Sequence, residues 1–83
     1  MIVVKKEVNK MIKAVLLDHE KFAQEMKKSD LSQEKIAERL GISDRHVRNL
    51  KTKDCLVFIP LLYRIHILFD KPMEYFLIIE DES

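Results

Sequence analysis

Gly41 is the only glycine among 83 residues, and it stands between two short stretches that each have helical spacing. Glycine enters the left-handed backbone region without steric cost, so a lone one at this place marks the exit of one helix and a tight turn towards the next. Before it, Gln33–Leu40 sets Ile36, Ala37 and Leu40 on one face; after it, Asp44 to about Thr52 sets Val47 and Leu50 on one face. Ser32 and Ser43 precede these stretches, where a hydroxyl accepts a bond from a free first-turn N–H. Two short helices crossing steeply also need a small residue where their backbones approach and a shared apolar seam. Ala37 meets the first need, and Ile36, Leu40, Ile42, Val47 and Leu50 meet the second. Residues Ser32–Leu50 are therefore expected to form a helix-turn-helix.

With one Gly and two Pro in the whole chain, the remainder reads as helices joined by short connections rather than as a turn-rich β fold. Val8, Met11, Ile12, Val15, His19, Phe22 and Met26 recur at intervals of three and four, a stripe along one helix face. That stripe spans about Glu7–Lys28 as one helix, or breaks at Asp18, which is then the cap of a second helix with Leu17 and Phe22 as its hydrophobic staple; the break is favoured. Met1-Ile2-Val3-Val4 reads as a short strand or an apolar arm. Pro60 suits the first turn of a helix over Ile59–Phe69. Asp70-Lys71-Pro72 repeats that start signal for a last helix from Met73 to about Ile79. The expected fold class is all-α: a compact five-helix, repressor-like domain with an N-terminal helical extension. Residues 1–17 are the extension, 18–79 the domain with its motif at 32–50, and 80–83 an acidic tail.

A chain of this length folds as one domain with a modest core, and oligomerisation is a natural way to add stability. The net charge is only +1, but three of the acids (Glu80, Asp81, Glu82) crowd the C-terminus, and residues 1–79 carry 15 basic against 11 acidic side chains. A local basic patch would have to supply any affinity for phosphate. The single Cys55 cannot form an internal disulfide, which fits a reducing compartment. Lys5, Lys6, Glu7 and Asn9 interrupt the N-terminal apolar run, so no signal peptide is expected; Leu56–Phe69 is too short and too interrupted to cross a bilayer. A soluble, cytoplasmic protein without membrane contact is the expectation.

Catalytic patterns fail on inspection. His19-Glu20 begins the zinc-protease sequence, but Ala23 stands where its second histidine is needed. His66 and Cys55 lack any ligand spacing, and His19 reads as a partly buried, hydrogen-bonded histidine. No nucleophile, base and orienter assemble, nor any Gly-rich phosphate loop. No enzyme activity, metal or cofactor is expected.

The run Leu31-Ser32-Gln33-Glu34-x-Ile36-Ala37-x-x-Leu40-Gly41-Ile42-Ser43-x-x-x-Val47-x-x-Leu50 resembles the phage repressor and Cro-like (XRE-type) helix-turn-helix family of transcriptional regulators. A looser likeness covers about Glu20–Leu77, in which Leu62, Tyr63, Ile65, Phe69, Asp70, Pro72, Met73, Tyr75 and Phe76 look like that family's closing helices. The resemblance implies a five-helix fold whose second motif helix enters the DNA major groove. Members often pair an acid just after that helix with an arginine of the first helix, and follow it with a glycine. Here Lys51 and Met26 occupy the paired positions and no glycine follows.

With Val47 and Leu50 inward, the 100° step per residue turns Arg45, Asn49 and Thr52 most directly outward, flanked by His46, Arg48 and Lys53. Arginine bonds guanine bidentately, asparagine bonds adenine, and Asp44 can accept from a cytosine amino group. Asp44, Arg45, Asn49 and Thr52 are thus the expected base contacts. Ser32, Ser43, Arg48 and Lys53 are the expected phosphate contacts, joined by Gln33, which resembles the family's phosphate-clamping glutamine at a helix N-terminus. The expected partners are double-stranded DNA and a second copy of the chain. Apolar residues at both chain ends (Ile2, Val3, Val4, Val8, Met11, Ile12 and Val15; Phe76, Leu77, Ile78 and Ile79) are candidates for the dimer surface. Within this reading fall a repressor, a mobile-element or restriction-control regulator, and an antitoxin that represses its own operon, with a toxin or other protein as a further candidate partner. The alternative is a protein-interaction module or antitoxin-like partner protein on the same scaffold with weak or no DNA binding.

Overall fold

The computed structural model describes residues 12–81. Its elements follow from caps that the sequence supplies. Strand β1 (Ile12–Leu17) runs into Asp18, whose carboxylate accepts from the N–H groups of Glu20 (3.0 Å) and Lys21 (3.3 Å) and so starts helix α1 (His19–Ser29). Leu17 and Phe22, on either side of this cap, are both fully buried, the arrangement of a hydrophobic staple. Helix α1 ends at Asp30 in the left-handed region (φ 64°), a conformation that aspartate tolerates better than most residues.

Helix α2 (Gln33–Leu40) starts where the Ser32 hydroxyl accepts from the Lys35 N–H at 3.1 Å. It stops at Gly41, with φ 71° and ψ 35°. There the Gly41 N–H bonds the Glu38 carbonyl and the Ile42 N–H bonds the Ala37 carbonyl, satisfying the last turn as the chain leaves it. Helix α3 (Asp44–Thr52) opens on Ser43, whose hydroxyl accepts from the His46 N–H at 3.0 Å. Helix α4 (Ile59–Phe69) carries Pro60 in its first turn, and a single 3-10 turn (Met73–Phe76) leads into strand β2 (Leu77–Asp81).

Leu17, Phe22, Ile36, Leu40, Val47, Leu50, Ile65 and Phe76 are wholly buried and form one core with Ala37, Leu61, Leu62 and Phe69. Phe69 of α4 joins its two ends, meeting Phe22 of α1 edge to face at 5.8 Å and Phe76 of the 3-10 turn at 6.1 Å. Glu25 is the buried charged residue among the described residues. It is not left unpaired: the Tyr75 hydroxyl donates to it at 3.1 Å and Lys28 lies 3.6 Å away.

The all-α, five-helix expectation is corrected at both ends of the chain. Among the described residues there are four α-helices and a two-stranded antiparallel sheet. Residues 12–17 are a strand, not part of a helical extension, and the last helix expected at Met73–Ile79 is the 3-10 turn followed by β2. The two strands pair in the register Leu17–Leu77, Leu16–Ile78, Val15–Ile79 and Ala14–Glu80, with an irregularity before Ile12–Asp81.

The physical reason is mutual satisfaction. Either segment alone is too short for a stable helix, and both are rich in residues suited to a pleated surface. Side by side, each closes the other's backbone bonds. Burial of Leu17, together with bonds from the Leu17 N–H to the Cys55 carbonyl and from the Asp18 N–H to the Phe76 carbonyl (both 2.7 Å), fixes the strand rather than a helix turn at this point. The strand-or-arm reading of Met1-Ile2-Val3-Val4, and the helical stripe at Val8 and Met11, lie outside the described residues.

The helix-turn-helix hinge is testable through its backbone. A Cβ at Gly41 would meet only the Arg64 guanidinium, at an ordinary 3.8 Å, so the constraint there is the positive φ and not space. Gly41→Val should therefore lower folding stability by about 1–3 kcal/mol in thermal or denaturant unfolding, and an unchanged midpoint would contradict the left-handed turn.

Candidate nucleic-acid interface

Helix α3 has two faces. Val47 and Leu50 are fully buried, and that burial turns Asp44, Arg45, His46, Arg48, Asn49 and Thr52 to the outside, where all are exposed, with Lys53 following in the same condition. From Asp44 to Lys53 four basic side chains (Arg45, Arg48, Lys51 and Lys53) stand against one acid, so the surface is locally basic although the chain is nearly neutral. Among the described residues the ion pairs are His19–Asp54, Lys28–Glu25 and Lys35–Glu38, which leaves Arg45, Arg48 and Lys53 uncommitted.

The expected contact residues are not all equivalent in place. Ser32 and Ser43 are engaged as caps through their hydroxyls, and each is exposed at a helix start. Gln33 is half-buried and its Nε2 reaches the Asp44 carbonyl at 3.5 Å, a long bond that links the first turns of α2 and α3. Thr52 turns its hydroxyl back to donate to the Arg48 carbonyl at 2.9 Å, so only its acceptor side and methyl face outward chemistry. Arg45 and Asn49, one helical turn apart, carry the free donor and acceptor groups on the outer face. Met26 and Lys51, which stand where the resemblance places an arginine and an acid, line one shallow cleft with Ala23, Lys27 and Leu31.

Several positioning residues escape a one-dimensional reading. The loop after α3 is held by the start of α1: Cys55 bridges to Leu17, and Asp54 accepts from both the His19 backbone N–H (3.1 Å) and the His19 ring at Nδ1 (2.6 Å). Arg64 of α4 donates to the Leu40 carbonyl at 3.3 Å and so helps close the C-terminus of α2 at the turn. Only the polar character of Asp54 and Arg64 hinted at these contacts, since 35 and 24 residues separate the partners. Burial pushes the Cys55 thiol up, away from a reactive thiolate.

Asp18, His19 and Asp54 bring three potential metal-ligating atoms within 4.8 Å of one another. Their present bonds already account for them: Asp18 caps α1, and the His19–Asp54 contact is an ion pair. No helix among the described residues is long and apolar enough to cross a membrane. Comparisons with protein-family models, curated proteins and solved structures find no match to this chain.

The His19–Asp54 pair predicts a pH signature. Its hydrogen bond to Asp54 raises the His19 pKa above the ordinary 6.5, and the same bond holds the Asp54 carboxyl below its ordinary 3.8. The stabilisation from the pair is thus complete between those two ordinary values. It fades as pH rises through the raised His19 pKa, and again as pH falls through the lowered Asp54 pKa. Asp54→Asn should return the His19 titration, followed by NMR of its ring protons, towards 6.5; an unmoved titration would show that Asp54 does not set it.

Proposed function

We propose that this chain is a sequence-specific, double-stranded-DNA-binding transcriptional regulator of the XRE kind, acting as a homodimer that represses by laying α3 in the major groove. The observation that carries the reading is the pairing of reading chemistry with a fixed orientation. Arg45 and Asn49 are exposed and one turn apart on a helix whose rotation is set by the burial of Val47 and Leu50. Around them Arg48 and Lys53 supply uncommitted positive charge, and the first turns of α2 and α3 meet at Gln33, a suitable place for phosphate oxygens. A single helix reads only a few base pairs, so useful selectivity calls for two half-sites and hence two copies.

The test compares one selected duplex with one random duplex at two salt concentrations. Arg45→Ala or Asn49→Ala should cost about 1–3 kcal/mol on the selected site and relax its sequence preference. Arg48→Ala and Lys53→Ala should weaken both duplexes alike and reduce the salt slope by about one each, while Gln33→Ala weakens both and leaves the slope nearly unchanged. Asp44→Asn should change base preference if Asp44 meets a cytosine amino group, and otherwise tighten binding to both duplexes. If the ratio of selected to random affinity survives loss of both Arg45 and Asn49, α3 is not the reader; absence of any duplex affinity at low salt would overturn DNA binding altogether.

A further inference from the structure

Among the described residues, the largest exposed apolar side chains do not lie at the chain ends. Ile59, Tyr63 and Ile67 form a stripe along the outer face of α4, and Phe58 and Leu56 continue it into the segment leading to that helix. Their exposures are 71%, 54% and 58% along the helix, and 84% and 74% before it. At the ends, by contrast, Phe76 is core, Leu77 packs against the core, and the facing pair Val15 and Ile79 is 39% and 56% exposed. Val8 and Met11 lie outside the described residues. Side chains of this size present on the order of 150–200 Å² when free, so these five residues together offer roughly 500–700 Å² of surface per copy. That is the upper end for the largest patch on an ordinary monomer, and most of the roughly 800 Å² per partner in a stable interface.

We propose that two copies of this chain associate through α4, antiparallel about Tyr63, each seating its Phe58 in a hollow of the other. The stripe has the geometry to meet itself. Ile59, Tyr63 and Ile67 are spaced i, i+4, i+8, a ridge symmetric about its middle residue. A two-fold axis through Tyr63 sets Tyr63 on its copy and Ile59 against the copy's Ile67. The same operation carries Phe58, just before Ile59, towards the Ile67 end of the other copy. There a hollow of about 430 Å³ is lined by Arg39, Tyr63, Arg64, Ile67 and Leu68. An aromatic ring entering it meets apolar walls and two guanidinium groups, which favour the face of a ring. The stripe residues carry no charge, and neither they nor Arg39 and Arg64 take part in the ion pairs among the described residues, so closing the interface breaks none of these.

This inference rests on the homodimer proposed above and names its surface; it is tested by mass in the absence of DNA, so it can fail while the base-contact experiment succeeds, and the reverse. Sedimentation equilibrium of the full chain should show a dimer. Tyr63→Glu and Phe58→Ala should each raise its dissociation constant about 30-fold or more with helical content retained, since both side chains are exposed, while Ile79→Glu leaves it within about threefold. Independently of whether Tyr63→Glu folds, Tyr63→Cys in a Cys55→Ser background should oxidise to a disulfide-linked dimer, and Glu74→Cys in the same background should not. A wild-type chain that stays monomeric at about 200 μM, a dimer indifferent to Phe58→Ala, a dimer lost with Ile79→Glu, or no cross-link through position 63 would each overturn the α4 pairing.

Discussion

The burial of Val47 and Leu50 is the contact on which the rest of this molecule depends. Helix α3 has nine residues and is otherwise strongly polar, so in isolation it would not hold together. Two fully buried side chains dock it against α1 and α2 and, in the same step, fix its rotation about its own axis. Every property of the outer face follows from that rotation. Arg45 and Asn49 are presented because Val47 and Leu50 are not, and the apolar seam of the motif determines where its polar chemistry is displayed.

Around this docked helix the chain builds a clamp out of residues that look unremarkable one at a time. Leu17, Asp18 and His19 are consecutive, and each holds something different. Leu17 fills the core and takes the Cys55 carbonyl; Asp18 starts α1 and reaches the Phe76 carbonyl through its own N–H; His19 bonds Asp54 through both backbone and ring. The loop between α3 and α4 and the start of the C-terminal strand are thereby tied to one point. The hydroxyl caps at Ser32 and Ser43, the positive φ of Gly41 and the Arg64 bond to Leu40 do comparable service for the turn between α2 and α3.

What could be read in one dimension was what is decided locally. The limits of α2, α3 and α4, the caps at Asp18, Ser32 and Ser43, and the turn at Gly41 depend on residues within a few positions of one another, and the structure has them at the expected places. The outward set on α3 was legible for the same reason, because the inward pair is unambiguous. The ends were misread because Ile12 and Val15 suit a helical spacing as well as a strand, and only a partner sixty or more positions away decides between them. Phe76 and Leu77 looked like surplus apolar surface until that partner placed them in or against the core. The exposed stripe on α4 was hidden by its own helix: Leu61, Leu62, Ile65 and Phe69 face inward, and Ile59, Tyr63 and Ile67 are apolar too, so nothing in the pattern separates one face from the other. Asp54 and Arg64 act through partners that only the folded chain brings near.

The distance in sequence between the two strands has a consequence for the order of events when the chain folds. Leu17 and Leu77 are sixty residues apart, and bringing them together from an open coil forfeits about 4 kcal/mol of loop entropy before any strand bond forms. A two-stranded ribbon does not recover that alone. The helical segments, whose contacts are closer in sequence, must collapse first and shorten the effective loop. The ribbon is then the last part to assemble and the first to open, and its pairing reports on the integrity of everything between its strands.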